Sequence, residues 1–289
     1  MNPKNVLGNP TKLLLLFFSI FILSCINNNA NNIPVLTSKN DSAKLKEPIK
    51  VIVDSNAIKF ERKPVNYDSN KTYIYLTFDD GPGHGTMNCL DVCKKEGIKA
   101  SFFMVGKHAN DSWGQQTVKT IRNAYPQFLL SNHSYTHTNE KYVYFYSHPL
   151  MAEQDFYKAQ ESLNVPYKII RLPGNNAWVT KDKIRTSKLV KPVCQKLNDA
   201  GFNVIGWDVE WNFTKGNSFP VQSPQQVAAQ VKNAASGQSF TKKHIVILTH
   251  DRMFRTPEYA NWLSEFIKTL KQNSNFVFET IDNYPNLKF

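Results

Sequence analysis

Two adjacent carboxylates, Asp79 and Asp80, follow a β-rich run at residues 73–78 and precede a Gly-Pro turn. Farther along the chain His133 and His137 stand four residues apart, so both imidazoles can reach one metal ion from a single helical turn. A carboxylate with two histidines leaves coordination positions open for chemistry. The two acids supply that carboxylate and a second one free to act as a base, although Asp-Gly alone is also typical of a turn capping a strand.

Other side chains able to do chemistry stand at the ends of later apolar runs. Arg171 can orient a carboxylate through charge-assisted hydrogen bonds. His250, after residues 244–249, is a candidate general acid. A further run ends near Asp208 and Glu210. Complementary side chains at successive strand ends indicate one site rather than unrelated turns.

Short apolar runs alternate with helical patterns from residue 71 onward, which predicts a parallel sheet with helical crossovers. The predicted strands are residues 73–78, 100–105, 128–131, 167–171, 202–208, 244–249 and 276–281. The predicted helices are residues 86–96, 112–124, 147–163, 188–200, 223–235 and 257–271. Seven strands favour a deformed barrel of (β/α)7 type, in which chemistry takes place at the C-terminal ends of the strands.

The N-terminus has the pattern of a targeting segment. Two lysines precede an apolar stretch at residues 13–23, which is too short to span a bilayer and fits the apolar region of a secretory signal. The stretch ends in Ser24-Cys25, which resembles the lipobox of bacterial lipoproteins and predicts acyl chains on Cys25. An uncleaved anchor and ordinary cleavage near residues 29–30 are the alternatives.

These features predict four segments. Residues 1–24 are a lipoprotein-type signal peptide, and residues 25–47, rich in Asn, are a flexible tether. Residues 48–70 form an N-terminal extension that packs on the barrel, and residues 71–289 form the barrel itself.

The composition narrows the classes of partner. The 289 residues are 41% hydrophobic, which excludes a mostly disordered chain, and they carry a formal net charge of +12. Such a surplus suits nucleic acid, an anionic membrane or an anionic cell-wall polymer. The sequence has no nucleic-acid recognition motif and begins with an export signal, so we expect no nucleic-acid partner. A monomer is the favoured oligomeric state.

Five stretches resemble the polysaccharide deacetylases of carbohydrate esterase family four, the NodB-homology domain. TFDDGP at 77–82 resembles the first family motif, NHSYTH at 132–137 the second, RLPG at 171–174 the third and LTH at 248–250 the fifth. ASFFMVG at 100–106 is similar to the second strand of the family. The resemblance extends over residues 71–289.

The resemblance implies a metal-dependent hydrolase that acts on an acetylated polysaccharide. It implies that Asp80, His133 and His137 bind one divalent metal ion. That ion is usually zinc in this family and sometimes cobalt or nickel.

The resemblance also implies roles for the other strand-end residues. Asp79 is the general base, and Arg171 holds it in place. His250 is the general acid. Leu248 lines the pocket for the acetyl group, and the backbone N–H of Gly174 helps to hold the oxyanion.

The fourth motif departs from the family pattern. The family reads D-x-x-D-W, in which an acid tunes the histidine acid and the tryptophan lies beside the sugar. This chain reads WDVEWNF, which ends at Phe213, where the second acid is expected. Asp208, Glu210 or Asp251 could take the tuning role. Trp211 could be the sugar platform, with core packing as an equal alternative.

The leading functional hypothesis is removal of N-acetyl groups from a GlcNAc-containing polymer of the bacterial cell envelope: peptidoglycan, poly-N-acetylglucosamine or a chitin-like oligomer. The protein would be membrane-anchored through its lipid, in the periplasm or at the cell surface. One alternative is an O-acetyl esterase that acts on an acetylated polysaccharide. The other is a non-catalytic, glycan-binding lipoprotein with the same fold.

Overall fold

The structure, a computed structural model, describes residues 61–289. The predicted signal peptide, the predicted lipidation site Cys25, the tether and residues 48–60 of the predicted extension lie outside the described residues. Between residues 61 and 289, no helix combines the length and the apolar character that a membrane crossing needs. The assignments made for the N-terminal segments therefore stay predictions.

Strands and helices alternate along the described residues. The strands are β1 Thr72–Asp79, β2 Ala100–Met104, β3 Phe128–Asn132, β4 Ile169–Ile170, β5 Trp178–Val179, β6 Ile184–Arg185, β7 Asn203–Val204, β8 Val209–Glu210, β9 His244–His250 and β10 Phe276–Phe278. The α-helices are α1 Thr86–Lys95, α2 Ser112–Asn123, α3 Tyr142–Ser147, α4 Pro149–Ser162, α5 Lys191–Asp199, α6 Pro224–Asn233 and α7 Pro257–Lys271.

The strands form one sheet in the order β6-β5-β7-β4-β3-β2-β1-β9-β8, with β10 beside β1. Pairing is parallel except at β5, which runs antiparallel to both β6 and β7. The mostly parallel α/β sheet confirms the predicted fold class. Among the described strands β6 and β8 end the sheet, which is therefore an open half-barrel.

Strand β1 lies at the centre of this sheet and is buried at every position after Thr72. It pairs along most of its length with β9, which places Asp79 beside His250. On its other edge the end of β1 pairs with β2, where Asp79 faces Phe103, and its start pairs with β10. A strand with neighbours on both edges and no exposed face is a rigid support for the side chains at its C-terminal end.

Strands β4 and β7 are shorter than predicted, because the backbone carbonyl groups beyond their ends accept hydrogen bonds from side chains instead of from a neighbouring strand. The Arg171 carbonyl, which follows β4, accepts a hydrogen bond of 3.0 Å from His133 Nδ1. The carbonyls of Ile205 and Gly206, which follow β7, accept hydrogen bonds of 3.1 and 3.0 Å from the Arg171 guanidinium. These backbone groups build the site instead of extending the strands.

The helix predicted over residues 147–163 is present as α4, Pro149–Ser162, and a short helix that was not predicted, α3, precedes it. His148 separates α3 from α4 with φ −119° and ψ 75°, outside the helical region. Pro149 follows it, and proline disfavours the helical conformation in the residue before it. The break leaves α3 as a separate short helix next to the loop that carries His137.

An aromatic cluster surrounds His244 at the start of β9. Its ring stacks on Tyr73 with centroids 5.3 Å apart, and its Nδ1 lies 2.9 Å from the Tyr75 hydroxyl. Burial lowers the pKa of His244 to about 4. The imidazole is therefore neutral in the folded protein at neutral pH.

We expect His244 to make the fold sensitive to acid. Its pKa is lower in the folded state than its ordinary value of 6.5, so the unfolded chain binds more protons between those values. The contribution of neutral His244 to the free energy of unfolding is fully present above pH 6.5 and is lost as the pH falls toward 4. His244→Phe should lose less stability than the wild type between pH 7 and pH 4.5 in denaturant titrations. His84→Gln, at an exposed loop position, should keep the wild-type pH dependence; an equal fall in all three proteins would contradict this assignment.

Candidate active site

The predicted residues meet at the C-terminal ends of neighbouring parallel strands. Asp79 ends β1, His133 directly follows β3, Arg171 directly follows β4, and His250 ends β9. The sheet order places these ends at one edge of the sheet, and Asp79, His133 and His250 line one pocket there. The clustering that the sequence predicts at the strand ends is present in the structure.

Asp80, His133 and His137 form a group that could hold a metal ion. One ligand atom from each lies within 4.8 Å of the others. Asp80 Oδ1 is 3.3 Å from His133 Nε2 and 3.0 Å from His137 Nε2. Asp80 and His133 are buried, and His137 is partly buried at the edge of the pocket.

The spacing of the two histidines predicted that they share a helical turn, and this prediction is wrong. Residues 133–136 form a loop, with Ser134 at φ 70° and His137 at φ 50°. The Asn132 side chain accepts a hydrogen bond from the Ser134 amide, and the Ser134 hydroxyl accepts one from the His137 amide. Left-handed backbone at these positions, fixed by local side chains, brings both rings to Asp80.

Hydrogen bonds behind the imidazoles set the direction of their free nitrogens. His133 donates from Nδ1 to the Arg171 carbonyl, so its Nε2 carries a lone pair toward Asp80. His137 Nδ1 lies 3.3 Å from Glu140 Oε1. Glu140 is not among the residues predicted from the sequence. It lies three positions after His137, a spacing that could have pointed to it.

The charges suit a cation between these atoms. Burial acts to raise the pKa of Asp80, but the imidazoles of His133 and His137 outweigh it and hold that pKa well below its usual range. Burial acts to lower the pKa of His137, yet Asp80 raises it overall. A carboxylate oxygen and two imidazole nitrogens that converge in this way are a typical zinc donor set. The residues therefore fit the metal that the family resemblance implies.

Arg171 is fully buried and bound to Asp79. Its Nη1 donates to Asp79 Oδ1 at 2.8 Å and to the Thr77 hydroxyl at 2.6 Å. The remaining guanidinium groups bond to the backbone carbonyls after β7, and the plane of the guanidinium lies 4.4 Å from the Phe103 ring centre. Asp79 Oδ2 is 3.6 Å from His133 Nε2, so this oxygen stays beside the candidate metal group.

A pocket of about 300 Å³ joins these groups to solvent. Its lining residues are Asp79, Asp80, His133, His137, Tyr142, Leu172, Gly174, Trp207, Glu210, Phe213, Leu248, His250 and Arg252. Gly174 has φ +63°, and a side chain there would meet the Tyr142 ring at 2.8 Å. Leu248 and Gly174 both line this pocket.

His250 lines the pocket, and its side chain is mostly buried. Its Nε2 is 3.7 Å from Asp80 Oδ2, and its ring packs edge-on against Phe213 with centroids 4.7 Å apart. Burial lowers the pKa of His250, and the charges of Asp80 and Asp79 offset this only in part. Its Nδ1 is buried and has no hydrogen-bond partner in residues 61–289.

None of the three predicted tuning acids hydrogen-bonds to His250 in the described part of the chain. Asp208 accepts hydrogen bonds from the amides of Phe240 and Val246. Asp251 accepts from the Thr86 hydroxyl, and burial raises its pKa to about 7 against that hydrogen bond. These two carboxylates support backbone turns.

Glu210 lines the pocket, and burial raises its pKa. Trp211 is fully buried, and its indole N–H donates to the Gln222 carbonyl, so the prediction that it faces a sugar is wrong. Trp207 is half-buried and lines the pocket instead. The sequence does not distinguish Trp207 from Trp211, because both lie at the end of the same apolar run.

The fold and site together define an α/β half-barrel hydrolase with a candidate metal centre. The family model described as polysaccharide deacetylase matches residues 66–188. The putative polysaccharide deacetylase YheN of Bacillus subtilis is 28% identical over 267 residues, covering 90% of this chain and 84% of that protein. A peptidoglycan-N-acetylglucosamine deacetylase of Bacillus cereus is 30% identical over 161 residues, covering 52% of this chain and 54% of that protein.

A solved structure with this fold is the catalytic domain of the peptidoglycan N-acetylglucosamine deacetylase from Eubacterium rectale. It matches with a TM-score of 0.55 and 23% identity over 80% of this chain and 97% of that domain. By these comparisons the chain is similar to polysaccharide deacetylases, which are hydrolases.

Proposed function

We propose that this protein removes N-acetyl groups from a GlcNAc-containing polysaccharide of the bacterial cell envelope. The observation that carries the proposal is the juxtaposition of two sets in one pocket: the Asp80-His133-His137 group and the Asp79–Arg171 ion pair. Relatives with peptidoglycan-N-acetylglucosamine in their names support the choice of an envelope polymer.

Asp80, His133 and His137 would hold the divalent cation, for which zinc suits the donor set and cobalt or nickel are alternatives. When bound, such a cation polarises the acetyl carbonyl and acidifies water. The two imidazoles are also held at Nδ1 by Arg171 and Glu140, so they need little reorganisation to bind.

The remaining residues would move protons and position the acetyl group. Asp79 accepts the proton of the attacking water, and its ion pair with Arg171 fixes the orientation of the carboxylate. The Gly174 N–H donates to the oxyanion, an interaction worth about 3 kcal/mol in acyl-transfer chemistry. Leu248 contacts the acetyl methyl group, and His250 protonates the leaving amine so that the C–N bond can break.

Acetate release tests this function. Purified protein loaded with zinc or cobalt is incubated with acetylated chito-oligomers, peptidoglycan and O-acetylated xylan, and free acetate is measured. We expect release from the N-acetylated substrates. Release from the xylan alone would favour the O-acetyl esterase, and no release from any substrate with metal bound would favour the glycan-binding alternative.

Removal of one metal ligand should abolish both binding and turnover. His133→Ala takes away a nitrogen ligand and leaves Asp80 with one imidazole fewer. We expect loss of stoichiometric zinc on equilibrium dialysis and loss of acetate release. His108→Ala, which removes a ring that contacts only the Asp80 backbone carbonyl, should retain zinc. Zinc bound one-to-one by His133→Ala would rule out this ligand assignment.

Anchoring through Cys25 remains part of the proposal and rests on the sequence alone. Wild-type cells fed labelled palmitate should label the protein, and Cys25→Ala should abolish the label. An unlabelled wild-type protein would exclude the lipid anchor without affecting the proposed chemistry.

A further inference from the structure

Arg252 lines the active-site pocket and lies outside the family motifs described above. Its Nη2 lies 3.1 Å from Asp80 Oδ2 in an ion pair, and its guanidinium lies 4.5 Å from the centre of the Phe213 ring. The side chain is 43% exposed. Arg252 therefore stands between the candidate metal group and solvent, on the path that a substrate must take.

The guanidinium has unused donor capacity. Its Nε is buried and has no hydrogen-bond partner in residues 61–289. A buried donor left without an acceptor is costly, and a planar carboxylate is the acceptor that fits the guanidinium fork best. The face of Phe213 keeps this fork in one orientation, since an arginine stacked on an aromatic ring has few alternative rotamers.

The charge balance of the pocket favours an anion at this point. Asp79 is neutralised by the buried Arg171, and Asp80 belongs to the group that would hold the cation. Glu210 is a further carboxylate in the lining, and Arg252 is the one Arg or Lys side chain among the described residues that line this pocket. Arg252 is thus the positive charge in the pocket wall that faces a substrate.

A second arginine, Arg255, also lies over a phenylalanine ring, farther from the pocket. Arg255 donates to the Arg252 carbonyl at 3.1 Å, and its guanidinium lies 4.9 Å from the centre of the Phe219 ring. Phe213 and Phe219 belong to one loop, closed by a bridge between Phe213 and Pro220. Two arginines on two phenylalanines form an arginine strip that leads outward from the pocket.

We infer that Arg252 selects substrates that carry a carboxylate on the acetylated sugar or on its neighbour. This inference rests on the proposed deacetylase function and narrows its substrate class to acidic acetamido glycans. Because Arg252 and Asp79 line the same pocket, the carboxylate must lie within about one sugar ring of the acetyl group. Arg255 provides a second, outer contact for an anionic chain.

The test compares two substrates that differ only in this charge. One is a peptide-free glycan oligomer of alternating N-acetylglucosamine and N-acetylmuramic acid; the other is the same oligomer with its lactyl carboxylates converted to methyl amides. We expect kcat/KM for the acidic oligomer to exceed that for the neutral one by about tenfold to a hundredfold, the usual range for a hydrogen bond between charged groups. The preference should shrink at high ionic strength.

Variants assign the preference to Arg252. In Arg252→Gln the ratio of the two kcat/KM values should fall to within about threefold, and Arg252→Lys should keep an intermediate ratio because it retains the charge without the fork. Lys215→Gln, an exposed change on the same loop, should keep the wild-type ratio. If Arg252 only neutralised Asp80, Arg252→Gln would slow both substrates equally and leave their ratio unchanged.

Calorimetric titration of the same two oligomers into zinc-loaded Asp79→Asn protein gives a second test without turnover. The acidic oligomer should bind at least tenfold more tightly, and Arg252→Gln in this background should remove the difference. Equal affinities for the two oligomers, or a ratio unaffected by Arg252→Gln, would overturn the inference. Absence of turnover on both substrates together with tighter binding of the acidic one would refute the proposed enzyme activity and keep this recognition role.

Discussion

Replacing Asp79 with Asn should lower kcat by about 10²–10⁴-fold, the contribution typical of a positioned general base. The amide cannot take the proton of the attacking water. It is nearly the same size as the carboxylate and can still accept the Arg171 hydrogen bond at 2.8 Å, so the pocket should keep its shape. The three candidate metal ligands are untouched, and zinc binding should be retained.

Acetate release and zinc stoichiometry measured on the same preparation test this expectation. Asp91→Asn, at an exposed position on α1, is the matched control and should keep the wild-type rate and zinc content. A rate for Asp79→Asn within a few-fold of wild type would mean that another group is the base. Loss of zinc together with the rate would mean that Asp79 is a ligand instead.

Replacing Arg171 with Leu should destabilise the fold by about 3–5 kcal/mol, the usual cost of removing one partner from a buried ion pair. The change leaves the Asp79 carboxylate buried without its counter-charge. It also removes the donors that the carbonyls of Ile205 and Gly206 use. Turnover should fall as well, because nothing would then fix the orientation of Asp79.

The double variant separates the two causes of this loss. In Arg171→Leu with Asp79→Asn the unpaired charge is gone, so the loss of stability should be smaller than in Arg171→Leu alone. The coupling between the two positions should be about 0.5–3 kcal/mol, measured by denaturant titration of the wild type, both single variants and the double variant. Strictly additive effects would show that the ion pair is not what makes Arg171 important.

The parts of the site that could be predicted are those carried by short motifs at strand ends. Asp79 and Asp80 end a buried strand, and the register of a parallel sheet then fixes their neighbours. Glu140 and Arg252 could not be found in this way. The contact of Glu140 depends on the left-handed backbone of the loop before it, and that of Arg252 depends on its place in the turn two residues after β9. Neither feature produces a periodic hydrophobic pattern in the sequence.

The sequence also does not predict which of two tryptophans lines the pocket. Trp207 and Trp211 are four residues apart, and in a continuous strand both side chains would point to the same side. The chain instead leaves β7 after Val204 and bends at Asp208 before β8, and the Trp211 indole then donates to the Gln222 carbonyl. That tertiary contact buries Trp211 and leaves Trp207 in the pocket. Local sequence contains no signal that distinguishes them.

The position of β1 has a consequence for synthesis on the ribosome. Asp79 ends this strand and Asp80 follows it, yet its partners β9 and β10 are encoded roughly 160 and 200 residues later. At about 5–20 residues per second, one edge of the nascent β1 waits roughly 10–30 s for its partner. During that interval the hydrogen-bonding groups of an apolar strand are open to other chains. The arrangement that makes β1 a rigid support in the finished protein therefore makes it the segment most in need of protection while the chain is being made.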